Sequence, residues 1–164
     1  MNLASSGSGS IAKVPKYKVT VGGAGPEGWT PVPPDPTSDP DALVVYVRDP
    51  ASPSGRIVVR ERFINWPTVD VQKYAREDAE RLNAKVTRGE YISYQPVPQF
   101  GLQLEFFEAG TLVKGDRLYS TTGTADGQSF MLELLFSAPN AQYDLVKPEF
   151  VSFLQNLKVV EDEG

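Results

Sequence analysis

At 164 residues the chain is long enough for one domain with a real core, and 40% hydrophobic with 23% charged residues excludes a chain disordered throughout. Lys and Arg number 16 against 21 Asp and Glu, and this net charge of -5 argues against a nucleic-acid partner, whose phosphates require clustered cations. The absence of cysteine excludes disulfides and thiolate chemistry, and the absence of histidine excludes the usual hydrolase triads and most zinc sites.

Met1 to Ser10 lacks the basic and apolar parts of a signal peptide, and no apolar run approaches the roughly 20 residues of a membrane helix, so no membrane span is expected. Residues 1–13 read as a flexible Gly/Ser arm, 14–160 as a single domain and 161–164 as an acidic tail. Tyr17 to Val21 alternates like a half-buried strand. From Gly22 to Asp41 a long loop is expected, because Pro31, Pro33, Pro34, Pro36 and Pro40 block helix and central strand alike. The run Leu43 to Val47, a turn over Ser52 to Gly55, and the alternating Ile57, Val59, Glu61 and Phe63 predict a hairpin.

Residues 68–86 predict a helix: Thr68 can cap it, and Val71, Ala75, Ala79, Leu82 and Val86 recur at helical spacing. Charge pairs such as Lys73 with Glu77 mark its solvated side. Strands follow at Glu90 to Val97, Leu102 to Phe106, Arg117 to Thr122 and Phe130 to Phe136, the last two joined by an Asp126-Gly127 turn, so an antiparallel meander is expected. A second helix is predicted over 146–157, opened by Lys147-Pro148 and carrying Phe150, Phe153, Leu154 and Leu157 on its apolar side. Val159 and Val160 predict a short closing strand.

Gly23-Ala24-Gly25-Pro26-Glu27-Gly28 matches the dinucleotide pattern, but that pattern needs a helix N-terminus to follow, and Pro26, Pro31 and Pro33 deny one. It reads as a glycine-rich turn, and no cofactor is expected. Asp35, Asp39 and Asp41 read as an acidic surface loop whose spacing matches no EF-hand; calcium is the alternative, and no metal site is expected. Glu105, Glu108 or Glu133 would have to pair as acid and base in a carboxylate enzyme without histidine, yet charged residues on outward strand positions are ordinary, and no catalytic residue is expected. The neighbours Phe106 and Phe107 must point to opposite sides of a sheet, so either both faces are covered or one is a binding surface.

Taken in order, several pieces resemble the Mog/PsbP/DcrB-like superfamily, with its PsbP-like, LpqN-type and Eag-chaperone-like domains. They are Pro26-Glu27-Gly28-Trp29 after the first strand, the Leu43 to Val47 and Ile57 to Phe63 pair, and the helix from Val69 to Val86. The Ala125-Asp126-Gly127-Gln128 turn, Ser137-Ala138-Pro139, Tyr143 and Lys147-Pro148-Glu149-Phe150 continue the pattern. The resemblance implies an α+β chain folded as an α/β/α sandwich on a twisted, mainly antiparallel sheet. It also implies a non-enzymatic role as a protein-binding adaptor, assembly factor or chaperone, in a homo- or hetero-oligomer. Trp29, Trp66, Phe100 and Phe107 are the candidate partner contacts, because exposed aromatics supply large contact area. The alternatives are a structural subunit of a larger assembly, such as a phage virion or tail component, and the carboxylate enzyme.

Overall fold

The computed structural model describes residues 17–21, 28–51, 53–64, 70–92, 99–123 and 129–161. The Gly/Ser arm, most of the Gly23 to Gly28 turn, Trp66, Thr68 and the Asp126-Gly127 turn lie outside them. In chain order the elements are β1 (Tyr17–Val21), β2 (Trp29–Val32), β3 (Ala42–Arg48), β4 (Gly55–Ile64), α1 (Val71–Arg81) and β5 (Lys85–Ile92). There follow β6 (Gln99–Glu108), β7 (Thr111–Gly123), β8 (Ser129–Pro139), α2 (Tyr143–Asn156) and β9 (Leu157–Glu161). Seven strands form one sheet in the order β2-β3-β4-β8-β7-β6-β5, each pair antiparallel, while β1 and β9 make a separate antiparallel ribbon.

Alternation along β8 assigns the two faces of the sheet. Leu134, Phe136 and Ala138 join the cluster formed by Val146, Phe150, Phe153 and Leu154 of α2, and the Phe136 and Phe150 rings stack with centroids 4.5 Å apart. On the same face the ribbon covers Phe130 and Leu132, with Tyr17 meeting the Phe130 ring edge-on at 5.6 Å. Met131 points the other way, into a second cluster in which Ala75 and Ala79 of α1 pack with Phe100, Leu102, Leu104 and Tyr119. Helices therefore cover both faces, giving the expected α/β/α sandwich.

Several boundaries differ from the sequence-based expectation. The first helix is 71–81 rather than 68–86, with Asp70 as its cap, accepting a hydrogen bond from the Lys73 N–H at 3.1 Å. Asn83 adopts φ 56° and stops the helix, and the Asn83 and Ala84 N–H groups turn back to the Glu80 and Ala79 carbonyls. Val86 then belongs to β5, opposite Leu104, so this strand begins at Lys85 rather than Glu90. The second helix spans 143–156 rather than 146–157 and carries Pro148, itself exposed, inside it at the loss of one backbone bond.

The proline-rich stretch is not loop throughout, since β2 includes Pro31 opposite Tyr46. Proline is tolerated there because β2 is an edge strand with one neighbour. The meander is also longer than expected at β6 and β7, where Ala109 (φ 51°) and Gly110 (φ 81°) form a tight turn between the paired Glu108 and Thr111.

Candidate functional site

Charged residues concentrate first between α1 and the sheet. Arg60 and Arg62 flank the fully buried Glu133, with Arg62 Nε 3.2 Å from Glu133 Oε2 and the Tyr74 hydroxyl donating to the same oxygen at 3.2 Å. Asp78 of α1 pairs with Arg117, receives the Tyr119 hydroxyl at 2.9 Å and receives Arg81 at 2.9 Å. Burial pushes the Asp78 carboxyl up, but Arg117, the Tyr119 and Arg81 hydrogen bonds and Arg60 outweigh it and hold the carboxyl below its usual range. Burial raises the Tyr119 and Tyr74 phenols, so both stay neutral donors. This network clamps α1 to β4, β7 and β8. It engages Glu133 fully, and the register puts Glu105, opposite Lys114, on the other face of the sheet, so these two carboxylates cannot flank one substrate.

The four aromatic candidates fall in different places. Trp29 is only 9% exposed and belongs to the α2-side core, where its indole N–H donates to Glu149 Oε1 at 2.9 Å. Gly55 leaves room for that ring: a Cβ there would lie 3.0 Å from it. Arg48 grips the same Glu149 with two bonds of 3.0 Å. Phe100 is 3% exposed and packs under α1. Burial corrects the expectation for both, because a core ring has no area to offer a partner. Trp66 lies outside the described residues. Phe107, by contrast, is 74% exposed near the end of β6.

In the acidic loop, Asp39 is buried and paired with Arg56, while Asp35 accepts the Thr37 N–H at 2.8 Å, a bond that holds its carboxyl low. Among the described residues, no group of three or more acidic side chains gathers in a form that could hold a metal. Gly28 (φ 88°) leads into strand β2 and not into a helix.

At the sheet end that carries Phe107 the two faces have different surroundings. On the α1 side, a groove of about 340 Å³ lies between Val47 and Arg56, the β6–β7 hairpin residues Glu108 and Thr111, and Val113 and Pro139. On the α2 side, the helix begins at Tyr143. Its hydroxyl donates to Asp116 Oδ2 at 2.7 Å and accepts from Gln103 Nε2 at 3.0 Å, and Lys147 Nζ reaches Asp116 at 2.6 Å. Burial and then Asp116 raise the Tyr143 phenol; for Lys147 burial works downward, but the Asp116 contact outweighs it and raises the ammonium. Beyond Tyr143 the register places the half-buried Glu105 and Leu112 and the exposed Phe107 on this side. Sequence reading missed Leu112 opposite Phe107 and Lys114 on the next rung; the cross-strand pairing through the Ala109-Gly110 turn is the signal that joins both to it.

The three layers and their strand order define a PsbP/LpqN-like fold. LpqN, involved in cell envelope biogenesis of Mycobacterium tuberculosis, is similar with a TM-score of 0.67 at 14% identity over 88% of this chain and 84% of its own. Cyanobacterial PsbP (CyanoP) from Synechocystis sp. PCC 6803 gives 0.55 at 15% identity over 94% of this chain and 98% of its own. A Bacteroides thetaiotaomicron protein gives 0.51 at 13% identity, with 91% of this chain covering 50% of that one. No family model and no curated protein matches the chain. At these identities the likeness shows the fold.

Proposed function

We propose that the chain is a non-catalytic accessory domain that holds another protein, as an adaptor, assembly factor or chaperone, through the sheet end bearing Phe107. The observation that carries this reading is the exposure of Phe107, a large ring held on a paired strand of an antiparallel sheet. A preset ring of this kind offers contact area at small ordering cost. The role of the similar LpqN in envelope biogenesis, and the likeness to PsbP, agree with an accessory domain better than with an enzyme. Glu133, the strongest candidate acid, is already committed to two arginines.

A photo-crosslinking amino acid at Leu112, opposite Phe107, tests this in native extract. It is expected to capture the same partner reproducibly, and Phe107→Ser should abolish capture while changing stability by less than about 0.5 kcal/mol, as for an exposed side chain. Absence of a reproducible partner, or capture unaffected by Phe107→Ser, would sink the reading. Sedimentation of the purified chain separates the structural-subunit alternative, which requires rings or higher assemblies.

A further inference from the structure

We infer that the sheet face beside α2 that bears the exposed Phe107 takes an acidic segment of the partner protein, anchored by an apolar residue against Phe107 and Leu112. This rests on the protein-holding reading above and names the chemistry of what is held. The register sets two successive rungs on this face: Phe107 opposite Leu112, and next to it Lys85, Glu105 and Lys114 in a row across β5, β6 and β7. Two residues of strand separate the rungs, about 7 Å. An incoming segment would therefore carry a carboxylate about that far from its apolar side chain.

Charge selects the occupant. The whole chain is negative at -5, yet the described side chains of this face include Lys85, Lys114 and Lys147, with Arg88 opposite Gln103, against Glu105 and Asp116. Lys147 and Tyr143 already satisfy the buried Asp116. Lys114 stands directly opposite Glu105 but makes no ion pair among the described residues; its ammonium instead lies 4.8 Å from the centre of the Tyr143 ring. That placement holds the cation above the sheet and ready for an external carboxylate.

The probe is a fluorescein-labelled peptide of glutamates around a single leucine, compared with its lysine counterpart by anisotropy on the full chain. The acidic peptide is expected to bind, and the lysine peptide is not; affinity should fall with added salt, and Lys114→Glu should weaken it by about tenfold or more. Lys85→Glu, on an exposed edge position, provides a second variant should Lys114→Glu lose its fold. Equal binding of the two peptides, or unchanged binding by folded Lys114→Glu and Lys85→Glu, would overturn the inference. So would concentration-dependent self-association that disappears when residues 162–164 are removed, which would make a second copy the occupant. If the Leu112 crosslinker still captures its partner undiminished from Lys114→Glu, but not from Phe107→Ser, the protein-holding function stands and the acidic-segment inference falls.

Discussion

Under α1, the arginines Arg60, Arg62 and Arg117 meet the carboxylates Glu133 and Asp78, and charges at this depth persist because each has a partner. Arg60 Nε is buried without a hydrogen bond, and Arg62 Nε is ion-paired with Glu133 Oε2 but lacks hydrogen-bond geometry, so the arginines are the under-satisfied side of the network. Asp78 makes this visible as a pH dependence. Its carboxyl is held below the unfolded value of about 3.9, so its contribution to stability is full above about pH 4 and is lost as pH falls through the lower folded value. Urea denaturation between neutral pH and about pH 3 should show the midpoint falling only below about pH 4, and Asp78→Asn should flatten that acid limb. A midpoint independent of pH over that range would mean that Asp78 is not held low. None of this network was legible in the sequence, because Arg60 and Glu133 are 73 positions apart and charged residues on strands read as outward-facing. Phe107 was legible for the opposite reason: next to Phe106, alternation alone sends one ring to each side.

Turns decide where the elements begin and end. Periodicity carried the first helix too far because Val86 fits both a helical stripe and a strand, and only the left-handed Asn83 between them separates the two. Likewise β2 was hidden by Pro31, since sequence does not reveal which strand will stand at an edge. The Ala109-Gly110 turn sets the register that brings Phe107 opposite Leu112, and it does so with an alanine at φ 51°. An L-residue there costs about 1–2 kcal/mol, whereas glycine loses only about 0.5–1 kcal/mol more chain entropy on folding. Ala109→Gly is therefore expected to stabilise the protein by about 0.5 kcal/mol, read as a rise in Tm with crosslinking from Leu112 unchanged. A fall in Tm would show that the alanine is not strained in this turn.

One central strand serves both cores. Along β4, Ile57 faces the α2 cluster and Ile64 the α1 cluster, seven residues and about 23 Å of strand apart. The antiparallel class of the sheet was legible from alternation and turn signals, but its order was not, since β4 joins β8 only across the whole intervening meander. That join, running from Arg56–Ser137 to Ile64–Ser129, makes a single cooperative unit of two side-chain clusters that share no described residue. Two consequences pull apart experimentally. Cooperativity requires one unfolding transition for every variant, because neither cluster has a sheet without the other. Local independence requires that Ile57→Val and Ile64→Val, each costing about 0.5–1.5 kcal/mol, add in the double variant to within about 0.5 kcal/mol. Denaturant curves for the four chains measure both at once. A coupling larger than that would mean that strain passes through β4 from one layer to the other, and a second transition would mean that the helices cover separately folding halves of the sheet.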